Sequence, residues 1–129
     1  MNFNQLFDLR GLNYWMLASA LGLNAVWTLL IFIISLQFLL AGGSNVGTVQ
    51  LIVLAGLFLG HFMVAWLVGR WSADLRGPSY GLIGSISSVI IALIVFVPGG
   101  GTFGLLAAAV ALAGGFNGGL LSLPRVPRD

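Results

Sequence analysis

Four long apolar runs, parted by short breaks, alternate with arginine in a way that leaves very few folds open to this chain. Arg10 precedes the first run, Arg70 and Arg76 part the second from the third, and Arg125 and Arg128 follow the fourth. The other two breaks, Ala41–Thr48 and Pro98–Thr102, carry no charge of either sign. About 20 apolar residues in a helix cover the hydrocarbon of a bilayer. Inside lipid, a helix also satisfies its own backbone polar groups. Arginine collects in cytoplasmic loops, so these five residues serve as topology anchors on a single side. The pattern predicts an all-α integral membrane protein with four transmembrane helices, arranged as two hairpins, with N and C termini cytoplasmic.

The spans are expected at about residues 14–40, 49–69, 80–97 and 103–123, in one membrane domain covering residues 1–129. At about 1.5 Å of rise per residue, the first is roughly 40 Å long against a hydrocarbon core near 30 Å. It must tilt, kink or project. Pro78 marks the start of the third helix, Pro98 and Gly99–Gly101 its stop, and Pro124 closes the fourth. Ahead of the first span, Phe3, Leu6 and Phe7 have the spacing of one apolar helical stripe, which suits a segment lying in the interface. A loose start with chance spacing is the other reading. The first run is too long for a signal core, and three more spans follow it. A multi-pass protein of the cell inner (plasma) membrane is the expected location.

Composition excludes much else. The chain is 59% hydrophobic and 6% charged, too little charged surface for a soluble domain. The net charge of +2 is too small and dispersed for a nucleic-acid footprint. With no cysteine, there is no disulfide framework, thiolate metal site or thiol nucleophile. Tyr14, Trp15, Trp66, Trp71 and Tyr80 all fall near the arginine side, as interfacial aromatics should, while Trp27 lies mid-span. The opposite interface carries no Trp, Tyr or charge. Either another polypeptide covers that face, or the short turns simply lack anchors.

Small residues recur at four-residue spacing. Gly56 and Gly60 form a GxxxG pair, Gly81 and Ser85 repeat the spacing, and Ala107, Ala111, Gly115 and Gly119 form a ribbon along the fourth span. Such rows let helix backbones approach closely where lipid supplies no hydrophobic drive. They serve either packing within the four helices or docking on a larger membrane complex. The stretch Gly114–Gly119 holds four glycines around Asn117. Each interior glycine costs about 1 kcal/mol relative to alanine, so this stretch is expected against protein. A local unwinding, with Asn117 bonding the freed backbone, is the alternative.

Residues able to do chemistry are few. His61 is the only ionisable group inside a span, which makes it a functional hypothesis by default. It suits a ligand to a haem or chlorin, a hydrogen-bond partner for a quinone, or a proton relay. The plainer reading is a neutral imidazole bonded to Ser, Thr or Asn of the next helix. Gln50 shares a face with His61 at an eleven-residue separation, as Asn13 does with Asn24, and these polar stripes are expected to face other helices. No intramembrane carboxylate joins them, which argues against proton- or cation-driven transport. Asp74 is expected to pair with Arg70 or Arg76 across its loop. No Ser/His/Asp set, paired carboxylates, HExxH motif or phosphate-binding loop is present, so no catalysis is expected.

In layout the chain resembles the small four-span accessory subunits of bacterial energy-transducing complexes. The likeness is architectural and covers the whole chain, which also looks like many small bacterial membrane proteins that end a span in a Gly-Arg pair, here Gly69-Arg70. It implies a non-catalytic accessory subunit of a respiratory or photosynthetic electron-transfer complex, with other integral membrane subunits and lipids as partners and no nucleic acid. The partner core would carry the haems, quinone sites or pigments; this chain would hold no cofactor of its own except through His61, and no metal. The rival is a small self-assembling transporter or channel for a neutral solute.

Overall fold

The computed structural model describes residues 2–43, 45–96, 98 and 101–124. The anchors Arg125 and Arg128 lie outside the described residues. Among the described residues six helices follow in order: α1 (Phe3–Leu6), α2 (Tyr14–Leu40), α3 (Val46–Ser72), α4 (Gly77–Gly84), α5 (Ile86–Phe96) and α6 (Thr102–Leu121). Four stretches of the described residues are long and apolar enough to cross a membrane, namely α2, α3, α4 with α5, and α6. The protein is thus an all-α, multi-pass membrane protein.

The span limits follow local chemistry. α2 begins and ends where expected, because the Asn13 side chain caps it by accepting from the Trp15 and Met16 N–H groups. α3 starts earlier than expected, at Val46. The Asn45 side chain accepts from the Thr48 N–H at 2.8 Å and so fixes the helix start. It also runs on to Ser72, where Ala73 turns left-handed with φ 54°. The third span starts at Gly77, with Pro78 in its first turn where a missing N–H costs nothing. It runs to Phe96 as expected and is irregular only at Ser85, where α4 passes into α5 while the Ser85 N–H still bonds the Gly81 carbonyl at 3.1 Å and the Val89 N–H the Ser85 carbonyl at 3.0 Å. There Ser85 Oγ donates to the Gly81 carbonyl at 2.7 Å, and Ser87 Oγ to the Leu21 and Gly84 carbonyls at 2.8 and 3.2 Å. Serine back-bonding of this kind bends helices.

α6 keeps its helix through the glycine-rich stretch, so the unwinding alternative fails and close packing holds. Asn117 is exposed and donates to the Ala113 carbonyl one turn back, at 2.7 Å. The glycines instead admit neighbouring backbone. A Cβ on Gly114 would stand 2.5 Å from the Phe58 carbonyl oxygen, and one on Gly119 2.5 Å from the Gly77 carbonyl carbon. Gly81 and Gly115 face each other's carbonyls beside Ser85, and Ala107 and Ala111 are wholly buried. On α3, Gly56 takes Ile31 of α2, and Gly60 takes the Trp27 indole, whose Nε1 donates to the Gly56 carbonyl at 2.9 Å. The small-residue rows offered as docking faces are therefore consumed within the chain, since their Cα surfaces already touch other helices of the same bundle.

Two apolar cores result. Leu12, Leu17, Ala20, Val68, Tyr80 and Ile83 fill the arginine-bearing end. Val49, Val53, Leu57, Ala92 and Ala107 fill the other, where Phe96 stacks edge-on with Phe32 and Phe103 at centroid distances of 5.0 Å each. α2 turns its polar side inward. Its buried residues are Leu17, Ala20, Asn24, Thr28 and Ser35, while Leu23, Val26, Leu29, Leu30, Ile33 and Ile34 face out. That inversion suits a helix whose surroundings are apolar and whose polar groups need protein partners.

The arginine-bearing end is tied by side chain to backbone. The Arg76 guanidinium donates to the Gln5, Asp8 and Arg10 carbonyls, gathering the chain around α1 against the α3–α4 loop. Asp74 does not meet that guanidinium, as the sequence suggested. Its carboxylate accepts instead from the Arg76 N–H at 3.1 Å, from Ser72 Oγ at 3.0 Å and from the Tyr80 hydroxyl at 2.5 Å. Tyr80 in turn accepts from the Asn13 N–H at 2.7 Å, joining the loop to the start of α2. The reason is reach: a carboxylate one residue past a left-handed turn finds loop donors before it finds a long cation. The Phe3, Leu6 and Phe7 stripe does form a short helix, with Leu6 buried and the two rings exposed and edge-on at 5.6 Å.

Candidate functional site

Between the two apolar cores lies a polar layer made by α2, α3 and α5. Asn24 and Thr28 come from α2, His61 from α3 and Ser88 from α5, and all four are 0–1% exposed. Each sits near the middle of its span, so the layer falls at mid-depth of the bundle. The sequence singled out His61 and the Asn24 stripe; that Thr28 and Ser88 join them depends on helix rotation, which the sequence does not encode locally.

His61 uses both ring nitrogens. Nδ1 lies 2.6 Å from the Leu57 carbonyl oxygen and Nε2 2.6 Å from Ser88 Oγ. A carbonyl only accepts, so Nδ1 carries a proton, and a neutral ring then accepts the Ser88 hydroxyl proton at Nε2. Thr28 Oγ1 lies 2.7 Å from Ser88 Oγ and 2.8 Å from the Asn24 carbonyl oxygen, and Ser88 Oγ lies 3.1 Å from that same carbonyl. Two hydroxyl protons thus face more acceptors than they can serve at once. They can redistribute among Nε2, Ser88 Oγ and the Asn24 carbonyl without any heavy atom moving.

This arrangement limits the chemistry. An axial ligand to a haem or chlorin needs a free ring nitrogen, and His61 has both nitrogens engaged and no exposed surface. The Ser88–His61 pair has the spacing of a nucleophile and its base. Yet Nδ1 is held by a backbone carbonyl rather than a carboxylate, and the hydroxyl is sealed from any substrate. Among the described residues no group of His, Asp and Glu could hold a metal ion. The expected neighbour Gln50 does not join the site, being exposed in the first turns of α3 beyond the apolar core.

Asn24 is the exception to this mutual satisfaction. Its side chain is fully buried, and neither Oδ1 nor Nδ2 has a hydrogen-bond partner. It lies against Gly84 in the third span, where an added Cβ would stand 3.3 Å from Nδ2 and 2.8 Å from the Ala20 Cβ. An unpaired amide in such a place costs on the order of 1–3 kcal/mol.

The fold and this layer define a class: a four-span helical membrane bundle closed by small residues around a polar middle. No family model, no curated protein and no solved structure matches the chain.

Proposed function

We propose that the chain is a non-catalytic structural subunit of a larger membrane assembly, inserted in the plasma (inner) membrane with both termini cytoplasmic. The observation that carries this reading is the unequal burial of the spans. The most apolar window of α2 is 17% buried, against 33–44% for the other three. A helix of 27 residues with its polar side turned inward presents a continuous aliphatic wall of Leu23, Val26, Leu30 and Ile33 along its length. That wall, not the glycine rows, is the docking face. The assignment to an electron-transfer complex rests on architectural resemblance alone. Purification in mild detergent through a C-terminal tag, followed by mass spectrometry and an absorption spectrum, tests the reading. Stoichiometric larger membrane subunits are the expected result. A colourless homo-oligomer free of partners would refute it.

A second reading draws on Asn24. An unpaired amide at mid-depth is the kind of group that a small neutral solute would satisfy in passing, as a transporter or channel requires. Solute flux into liposomes bearing the purified protein, abolished by Asn24→Leu, is its signature. Topology is checked separately. The chain has no native cysteine, so single cysteines at Gly43 and Trp71 should label with an impermeant maleimide from opposite sides.

A further inference from the structure

At the arginine-bearing end, the last turns of α3 and α6 leave a pocket of about 720 Å³ between them, lined by Trp66, Arg70, Leu75, Leu121 and Leu123 with smaller neighbours. The Arg70 guanidinium stands over the Trp66 ring, 5.7 Å from its centroid. Such stacking uses the face of the guanidinium and leaves its N–H edges to donate. The carboxylate four residues on, Asp74, is engaged elsewhere. One of its oxygens accepts from Ser72 Oγ and the Arg76 N–H, and the other from the Tyr80 hydroxyl. Arg76, the second cation beside this loop, turns its guanidinium to the carbonyls of the segment around α1. Arg70 is thus an exposed cation that an aromatic ring positions at the pocket.

A ligand that suits these walls brings forked oxygens to Arg70 and an apolar body to the leucines. Leu75 and Leu121 are both exposed, and in a bilayer exposed leucines at a span end adjoin acyl chains. Trp66 is a residue type favoured at headgroup depth. A phosphodiester carrying acyl chains has both parts, whereas free phosphate shares only the contact with Arg70. Among the described lining residues there is one positive charge and no negative one, which favours a headgroup of net negative charge over a zwitterionic one. We propose that this pocket seats the headgroup of an anionic phospholipid of the phosphatidylglycerol type, with its phosphate on the edge of the Arg70 guanidinium and its acyl chains along Leu75 and Leu121. The site does not depend on the chain having a protein partner.

Native mass spectrometry of the full chain in detergent, supplied in turn with phosphatidylglycerol, phosphatidylethanolamine and phosphatidylcholine, tests the site. Phosphatidylglycerol should survive collisional activation best. Arg70→Gln should lower its retention about tenfold, the equivalent of one charge-assisted hydrogen bond. Arg70→Lys should restore only part of it, because an ammonium lacks the fork. Arg10→Gln removes the same charge from the same end of the bundle without touching the pocket, and should leave retention unchanged. Arg10 and Arg70 are both exposed, so all three variants should keep the wild-type circular dichroism spectrum. Excess inorganic phosphate should not displace the lipid. Retention unaltered in Arg70→Gln, an equal loss in Arg10→Gln, equal retention of phosphatidylethanolamine, or displacement by phosphate would each overturn the proposal.

Discussion

His61 Nε2 lies 2.6 Å from Ser88 Oγ, and both side chains are sealed inside the bundle. This contact ties α3 to α5 at mid-depth, and through the Thr28 hydroxyl it ties both to α2. Ser88→Ala therefore strands Nε2, which has no water to turn to, and leaves the Thr28 hydroxyl only its bond to the Asn24 carbonyl. Interhelical hydrogen bonds in membranes couple by about 0.6 kcal/mol on average and reach about 1.7, so the three-way contact should lie toward the upper figure. A double-mutant cycle of Thr28→Val and Ser88→Ala, read by steric trapping in bicelles, measures it. Simple additivity of the two would show that the contact carries no coupling.

Asn24 predicts the opposite sign. Its amide is buried and unpaired, so an apolar side chain of similar volume removes a desolvation cost without breaking a bond. Asn24→Leu should stabilise the bundle by about 1–3 kcal/mol, one of the few core changes expected to do so. If it destabilises the protein instead, the amide has a partner in the folded state, and the solute-path reading loses the unpaired group on which it rests.

Glycine substitutions should divide sharply by position. On Gly60 a Cβ would collide with the Trp27 indole, and on Gly118 with the Phe62 backbone, whereas Gly22 has nothing within 4 Å. Gly118→Ala forces α6 away from α3, because a backbone cannot swing aside as a side chain can. It should cost on the order of 1–3 kcal/mol, the usual penalty for overpacking. Gly22→Ala should be neutral or stabilising, since alanine forms helix better by about 1 kcal/mol. Thermal melts in one detergent compare the two directly, and equal melting shifts would contradict the packing described.

Much of this was legible in the sequence, and the boundary of legibility is physical. The length of α2 follows from its unbroken apolar run and the capping Asn13, and the start of α4 from Pro78, because caps and prolines act within a turn of themselves. The early start of α3 at Val46 was written in Asn45, a cap that the charge-free loop concealed. The partner of a glycine row was not legible. Gly56 and Gly60 read as internal packing or as a docking face, and only the rotation of α2 brings Ile31 and Trp27 onto them. The polar layer shows the same limit. His61 stands out in any reading, yet Thr28 and Ser88 look like ordinary span residues until three helices are set in register.

The last prediction concerns Arg76, whose guanidinium holds three carbonyls of the segment around α1. No carboxylate takes part in those bonds, so the clasp depends on the fork of donors that only arginine offers. α1 has four residues, too few to persist as an isolated helix. Its order must come from this clasp and from burial of Leu6 and Leu12. Arg76→Gln should free the segment Asn2–Leu12 while leaving the four spans in place, and Arg76→Lys should rescue little, because one ammonium cannot replace the fork. Hydrogen exchange read by mass spectrometry in nanodiscs separates these outcomes. Faster exchange in Asn2–Leu12 alone supports the clasp. Unaltered exchange there would mean that the buried leucines suffice, and a global increase would mean that Arg76 supports the loop between α3 and α4 rather than the amino-terminal segment.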